Sequence, residues 1–396
     1  MRPLTIFVSH GSELFTDDRP HGDGLMAYEF VSRLAERGHR LHVAVEQVDL
    51  QKPLHPNIVL HPIPTWTTNP LFWRVEFALR SRCLLRRLMR TEKFDLIHQL
   101  NPVTVGLSLG LTGMRLPIVL GVYAGRWLND PDAITSRYAS LRLVLSRLRG
   151  LLSAMQQNRA AAILLSTPAA EDQLEDKQMV GSRTHLLPFG TDTHLYCPAD
   201  GWDDAARFTA EQAHPTILYL ASLTQRKGIF EMLKAFQIVA REFPTCRLRI
   251  VGGGEESEEV KQLALASPAA EQIEFLPNQP RAATIDLYRA CTIFCAPSLG
   301  APFGGAEVEA MACGSPIVAS AVGGHLFTVS PQGGVLTPME DSETLAAALL
   351  RLLHDPGERL RMAQFNRRWA EEQFSWDIVI PRLEQIYAQV CGSPAA

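Results

Sequence analysis

Short runs of consecutive apolar residues alternate along this chain with longer stretches in which apolar residues recur every three or four positions. Leu4 to Ser9 is apolar and β-rich, and a polar loop carrying Gly11, Gly22 and Gly24 follows. Leu25, Tyr28, Phe30, Val31 and Leu34 then recur at helical spacing up to Gly38, a residue suited to the position just past a helix end. Leu41 to Val45 reads as the next strand, so the chain opens with a βαβ unit. The same reading continues with a strand Ile58 to Leu60, a long helix Leu71 to Met89, a strand Phe94 to His98 and a helix opened by Asn101 and Pro102. A strand Pro117 to Val122, a helix from about Leu141 to Asn158 and strands Ala161 to Ser166 and His185 to Phe189 complete this half. Apolar strands alternating with helices predict a parallel sheet covered on both faces.

Between Pro198 and Pro215 the periodicity breaks into a polar segment with Asp200, Gly201, Asp203 and Asp204, which marks a linker. The alternation then restarts with a strand Thr216 to Ala221, helix Phe230 to Glu242, strand Arg247 to Val251 and the triplet Gly252-Gly253-Gly254. It goes on with helix Glu256 to Leu265, strand Ile273 to Phe275, helix Ala283 to Arg289 and strand Ile293 to Ala296. Next comes a Gly-rich loop (Gly300, Gly304, Gly305), a helical run Ala306 to Cys313, a strand Pro316 to Ser320 and the pair Gly323-Gly324; Leu345 to Leu353, Pro356 to Phe374 and Val379 to Val390 are helical. The pattern therefore predicts an α/β protein of two doubly wound, Rossmann-like domains, residues 1–197 and 198–375, with a cleft between the carboxyl ends of their strands. The length of 396 residues agrees with two domains of about 200 residues each.

A composition of 46% apolar and 20% charged residues is that of a globular enzyme, and the net charge of -4 removes the electrostatic footprint of a nucleic-acid binder. Seven cysteines, at 83, 197, 246, 291, 295, 313 and 391, show neither a CxxC spacing nor a pairing rhythm, so they read as reduced thiols in a cytoplasmic protein without a zinc site. The apolar stretch at the N-terminus is too short for a signal-peptide core, and no run approaches the roughly 18 apolar residues of a membrane span.

Four constellations carry candidate chemistry. The Gly-rich loop before Ala306 and the Gly323-Gly324 pair flank one apolar strand, and a glycine loop emptying into a helix aims backbone N–H groups and the helix dipole at one point, a place for an anion such as a phosphate. Arg226 and Lys227, in the loop Ser222 to Gly228 after a strand, are either a diphosphate clamp or a solvated pair; the neighbouring glycines favour the clamp. Glu309, at the start of the Ala-rich helix, is placed to bring its carboxylate near the Gly305 loop and accept both hydroxyls of a ribose, unless it is only an exposed helix acid. His98 closes a strand at the cleft edge, as a hydrogen-bonding group for a sugar or leaving phosphate or as a structural strand-end histidine.

Two further patterns each admit a second reading. Gly22-x-Gly24-x-x-Ala27 matches the dinucleotide fingerprint in form, with Glu46 as the ribose acid, but the strand before it ends near Ser9, too early for a dehydrogenase. The basic series Arg80, Arg82, Arg86, Arg87, Arg90 and Lys93, interleaved with Leu84, Leu85, Leu88 and Met89, is either a solvated helix face or a surface for peripheral contact with an anionic membrane, with Leu71, Phe72 and Trp73 just upstream.

Taken together these residues resemble the retaining glycosyltransferases of the GT-B fold, in the large group called family 4. The likeness covers nearly all of the chain: Gly22 and Gly24, AERGH at Ala35 to His39, FDLIHQLNP at Phe94 to Pro102, SLTQRKG at Ser222 to Gly228, RLRIVGGG at Arg247 to Gly254, LYRACTIFCAPS at Leu287 to Ser298, PFGGAEVEAMACGSPIVASAVGG at Pro302 to Gly324 and FSWD at Phe374 to Asp377. The resemblance implies transfer of a sugar from a nucleotide-diphosphate donor, held by the C-terminal domain, to an acceptor hydroxyl bound by the N-terminal domain, with retention of anomeric configuration. It also implies closure of the two domains, no metal or other cofactor, and a last helix from about residue 376 to 396 that packs back on the first domain.

Carried over by position, Lys227 with Arg226 and His98 become the catalytic group. Glu309 falls on the second Glu of the family's Glu-x7-Glu motif and contacts the ribose. Phe303, Gly304, Gly305, Gly323 and Gly324 line the donor, the last four as backbone donors, and Gly22 and Gly24 form an acceptor or phosphate loop. Three positions depart from the pattern: Ala301 stands where the motif's first Glu, which contacts the transferred sugar, is expected; Ser222 stands for the usual Arg; Leu100 stands for a second His. Ala301 and Ser222, both at donor-binding positions, motivate a competing reading as a non-catalytic nucleotide-sugar binder or partner subunit.

Overall fold

The computed structural model of the protein describes residues 2–18, 22–67, 70–101, 103–125, 139–206, 208 and 213–392. It divides into two compact units. The first takes the chain up to Gly125 and on to Phe189 and takes it up again at Val379; the second is Gly190–Ile378.

In the first unit the strands β1 (Thr5–Thr16), β2 (Arg40–Asp49), β3 (Ile58–Pro62), β4 (Leu96–Gln99), β5 (Ile118–Tyr123), β6 (Ala162–Leu165) and β7 (Thr184–Leu186) form one sheet in the order β3-β2-β1-β4-β5-β6-β7. All of its pairings are parallel. β4, β5 and β6 are buried along their whole length; β5 and β6 accordingly read as near-continuous apolar runs rather than alternating ones, while β4 ends in the buried polar pair His98 and Gln99. Helices α1 (Gly22–Glu36), α2 (Pro70–Leu88) and α3 (Ala139–Arg159) connect them.

The second unit holds β8 (Thr216–Leu220), β9 (Arg247–Val251), β10 (Ile273–Leu276), β11 (Ile293–Ala296), β12 (Ile317–Ser320) and β13 (Gly334–Thr337) in the order β10-β9-β8-β11-β12-β13. Its helices are α4 (Ile229–Glu242), α5 (Ser257–Leu265), α6 (Arg281–Ala290), α7 (Gly305–Ala312), α8 (Ser342–His354) and α9 (Pro356–Phe374). α4 buries Ile229, Met232, Leu233, Phe236, Val239 and Ala240, a stripe at spacings of three and four that packs into the core of the unit. Phe236 is wholly buried there, and its truncation to Ala would cost about 3–5 kcal/mol. The final helix, α10 (Trp376–Val390), starts in this unit and from Val379 onward belongs to the first, where Glu384 pairs with Arg37 and His39.

Both sheets are doubly wound: the order reverses between β1 and β4 in one and between β8 and β11 in the other, and a ligand site in such a sheet lies outside the carboxyl ends at that reversal. Among the described residues no helix is long and apolar enough to cross a membrane.

The structure departs from the sequence reading at four places. β1 does not end near Ser9 but runs to Thr16, with an irregularity in register between His10 and Leu14. The helix expected after Asn101 is a loop and one 3-10 turn, Leu107–Leu111; Gln99 and Gln156 accept hydrogen bonds from Ser108 N and Gly106 N there, so the backbone is satisfied without an α-helix. β13 was not expected, because a strand that begins with glycine carries a weak apolar signal. The units part at Phe189 and Gly190 rather than at residue 197. Thr191 N donates to Phe374 O, Arg367 holds the Thr193 and Tyr196 carbonyls, and Arg289 holds that of Cys197, so this stretch is tied into the second unit.

Candidate active site

At the reversal of the second sheet the strand ends are small. Leu220 and Ala221 after β8, with Ala296 and Ser298 after β11, form one side of a recess with an empty volume of about 440 Å³. Lys227, Ala301, Gly304, Gly305, Glu307 and His325 line the rest. Lys227 is delivered by the 3-10 turn Gln225–Lys227, whose backbone carbonyls at Ser222 and Lys227 accept from the Tyr219 hydroxyl at 3.3 Å each. Gly228 ends the turn at φ 71°, and a Cβ there would lie 1.8 Å from the Pro297 carbonyl. Only glycine lets the loop after β8 cross the loop after β11 this closely. Leu299 N closes the crossing by donating to Arg226 O at 2.9 Å. Burial lowers the Lys227 pKa; the Glu307 charge opposes that shift and Arg226 adds to it. Arg226 and Ser222 are exposed, at the rim of the same turn.

The sequence reading places a carboxylate beside Gly304 and Gly305 and names Glu309. The structure puts Glu307 there instead. Glu307 is buried, its Oε1 lies 2.9 Å from His325 Nε2, and His325 Nδ1 lies 3.0 Å from the Ser320 carbonyl. Burial alone would raise the Glu307 pKa, but His325 and Lys227 together hold it below its ordinary value. Glu309, two residues along α7, is turned toward α6: its Oε2 accepts from the Tyr288 hydroxyl at 2.9 Å, within the fields of Arg281 and Tyr196. Burial pushes its carboxyl up, against the pull of Arg281. Residues 307 and 309 point different ways because two positions on a helix are about 200° apart. The local sequence gave no signal for Glu307, since its partner His325 lies beyond an intervening strand.

Two donor-lining expectations are corrected in part. Gly324 does not keep its N–H for a ligand: it donates to the Ala301 carbonyl at 2.6 Å. A Cβ on Gly323 would lie 2.4 Å from that same carbonyl, and one on Gly324 2.2 Å from Phe303 O, so both glycines serve close packing of one loop on another. The Phe303 ring is buried and packs edge-on against Phe374 at 6.0 Å, away from the recess. Gly304, at φ 107°, precedes α7, and Gly305 is exposed with open space around its Cα.

In the first unit His98, expected to be catalytic, is wholly buried at the end of β4. Its Nδ1 lies 2.6 Å from the Tyr387 hydroxyl and its Nε2 2.9 Å from the Gly121 carbonyl, so both ring nitrogens are engaged. Burial pushes its pKa down to about 4, and it remains a neutral structural group. Gly24 has a packing role: a Cβ there would lie 1.8 Å from the Leu14 carbonyl, so this glycine lets α1 press onto β1. Gly22 is the exposed first residue of α1. Along α2 the apolar Phe72, Val75 and Leu79 are exposed by 65%, 55% and 56%, at spacings of three and four, and Arg86, Arg87 and Arg90 are exposed beyond them. Among the described residues no three His, Cys, Asp or Glu come together as a metal site.

Such a recess suits an anion attached to something polyhydroxylated, because a half-buried cation, the start of a helix and a carboxylate meet in it. Comparison with known proteins bears on what that is. A family model described as Glycosyltransferase Family 4 matches residues 22–195, and one described as Glycosyl transferases group 1 matches residues 202–369. The chain is 27% identical over 398 aligned residues to a phosphatidyl-myo-inositol mannosyltransferase of Mycolicibacterium smegmatis, covering 96% of this chain and 93% of that one. It is 29% identical to a D-inositol 3-phosphate glycosyltransferase of Mycobacteroides abscessus over 61% of this chain and 55% of that protein. Among solved structures, sucrose-phosphate synthase from Thermosynechococcus elongatus superimposes with a TM-score of 0.74 at 22% identity, covering 98% of this chain and 99% of that one. Anabaena HepE in complex with UDP gives 0.70 at 17% identity, covering 98% and 100%. These structural likenesses speak for the fold.

Proposed function

We propose that this chain, a GT-B glycosyltransferase with a family 4 domain ahead of a group 1 domain, takes its sugar from a nucleotide-diphosphate donor held in the recess of the second unit and transfers it with retention. The observation that carries the reading is the half-buried Lys227 lining one recess with the N-terminal turn of α7 and with small residues. In the reaction the bond from the anomeric carbon to the diphosphate oxygen breaks, and the bond to the acceptor oxygen forms on the same face. The acceptor proton passes to the departing phosphate oxygen. Lys227 and the rim cation Arg226 stabilise the charge that develops on the diphosphate, which is the largest contribution side chains make to such a step, and no metal is invoked because these cations supply the positive charge. Glu309, outside the recess lining and held by Tyr288 beside Arg281, takes the ribose in this reading only if the nucleoside extends from the recess toward α6.

The acceptor is a hydroxyl on an inositol-bearing molecule, a reading supported by the relatives named for phosphatidyl-myo-inositol and D-inositol 3-phosphate. A lipid acceptor also accounts for the exposed Phe72, Val75 and Leu79 beside Arg86, Arg87 and Arg90, which fit peripheral contact with an anionic membrane from the cytoplasmic side. The test is turnover of GDP-mannose, UDP-glucose and UDP-N-acetylglucosamine with inositol phosphate and with phosphatidylinositol vesicles, the anomeric configuration of the product being read by NMR. Release of the nucleoside diphosphate with an inverted product would refute retention, and binding of no sugar nucleotide would refute the donor site. Flotation with phosphatidylglycerol vesicles but not with phosphatidylcholine vesicles is expected; flotation with neither removes the membrane contact.

A further inference from the structure

Glu307 is the one carboxylate among the described residues that line the recess, and the diphosphate chemistry above has no use for it, because a carboxylate repels phosphate. A buried carboxylate is costly unless it is paired, and this one has a partner built for it. His325 is 1% exposed and both groups facing its ring, the Ser320 carbonyl and the Glu307 carboxylate, are acceptors. Both ring nitrogens thus face acceptors, and the Nε2 edge of the ring is fixed on the carboxylate. That pairing ties down Oε1 and the plane of the carboxylate. Oε2 lies on the side of Gly304, where a Cβ would come within 3.1 Å of it, so the lack of a side chain at 304 spares this oxygen a close neighbour. Thr328 Oγ1 lies 3.0 Å from the same point. The facing wall at Ala301 offers only a methyl group.

We propose that Glu307, clamped by His325, accepts a hydroxyl of the sugar that the donor carries, next to the diphosphate on Lys227, and so sets which sugar is transferred. The inference rests on the donor-site reading of the recess. The charges agree with it: Lys227 lines the same recess to answer the diphosphate, and Arg226 stands at the rim of the same turn. A carboxylate is the acceptor with the greatest reach for sugar hydroxyls, and one oxygen held in place gives the other a fixed direction, which is what discrimination between epimers requires.

The experiment compares wild type, Glu307→Gln and Glu307→Asp on the preferred sugar nucleotide, on its monodeoxy analogues, and in equilibrium binding of the bare nucleoside diphosphate. Glu307→Gln is expected to lower kcat/KM for the full donor about 100-fold while Kd for the bare nucleoside diphosphate moves less than about threefold. One monodeoxy donor, penalised about 30-fold or more by wild type, loses nearly all of that penalty in the variants. A Glu307 that is merely structural would slow every donor alike and leave each hydroxyl's penalty intact, and that result overturns the inference. So does a parallel loss of bare nucleoside diphosphate binding, which would mean that Glu307 acts through Lys227. Should Glu307→Gln fail to fold, Glu307→Asp keeps the charge and carries the same comparison of deoxy donors. A wild-type protein that binds no nucleoside diphosphate refutes the donor site itself, an outcome distinct from one that binds and transfers while ignoring residue 307.

Discussion

The two units reverse their strand order in the same way and fill the place of reversal differently. Beyond β8 and β11 stand Ala221, Ala296 and Ser298, and a recess with Lys227 and Glu307 opens beside them. Along and beyond β1 and β4 stand His10, Gln99 and Asn101, all buried. Several of their polar atoms are engaged by backbone: His10 Nδ1 by the Asn101 carbonyl at 2.9 Å, the Gln99 amide by Thr104 O and Ser108 N, Asn101 Nδ2 by Asp23 O at 3.1 Å. Topology thus supplies the location in both sheets, and the residues beyond the strand ends decide its chemistry: small side chains beside a cation in the second unit, buried polar side chains in the first. A polar residue at a strand end is not by itself a site, as His98 shows.

The comparison breaks most sharply at Lys227. If the recess is the donor site, Lys227→Ala removes about 3–4 kcal/mol of transition-state stabilisation, roughly 100- to 1,000-fold in kcat/KM, without loss of the fold. An unchanged rate in a folded variant would strip the second unit of the role that separates it from the first. At His98 the expected effect is on stability instead. Its pKa is pushed from 6.5 down to about 4 in the folded chain, so the unfolded chain takes up a proton that the folded one refuses. The sign is that of a depressed group: stability is intact above pH 6.5 and falls as the pH drops toward 4, by about 3 kcal/mol for a shift of this size. Urea unfolding of wild type at pH 7 and at pH 4.5 should show that fall, and His98→Gln should flatten it while leaving kcat/KM at pH 7 within a few-fold. A variant that loses turnover but keeps the slope would return His98 to the catalytic group.

The same contrast explains what could be read from the sequence. β9 and β11 have the bounds that their apolar runs predict, and α9 starts at Pro356 after an Asp355 whose carboxylate accepts from Glu358 N, a signal contained in four consecutive residues. The glycine-flanked loop before α7 and the Lys227 turn were legible for the same reason, because close approach and anion binding leave their marks locally. Glu307 was not, since its meaning depends on His325 eighteen positions away, as were the burial of His98, which comes from Tyr387 in the last helix, and the loop after Asn101, which is held by Gln156. Gly24 and Gly324 were assigned to ligands because a glycine that admits a phosphate and one that admits a neighbouring carbonyl look alike in sequence.

The smallest expected effect tests how the last helix holds the first unit around β1. Glu384 on α10 accepts a forked pair of hydrogen bonds from Arg37 at 2.9 and 2.7 Å. It also accepts from His39 Nε2 at 2.9 Å. Leu4 N donates to His39 Nδ1, so the proton of a neutral ring sits on Nε2 and points at the carboxylate. Burial works to raise the Glu384 pKa, but these bonds outweigh it and hold the carboxyl below 4.5. Because Arg37 is half exposed, the screened value of the cluster is about 1 kcal/mol. The contribution is that of a depressed acid: full above pH 4.5, lost as the pH falls through the folded value. Glu384→Gln should therefore lower stability by about 1 kcal/mol at pH 7, and that deficit should shrink as the pH falls below 4.5 through the depressed value of the folded chain. This window lies below the one assigned to His98, so the two variants separate the buried histidine from the half-exposed clasp; a deficit in Glu384→Gln that persists at pH 3 would mean that shape, not charge, ties α10 to this unit.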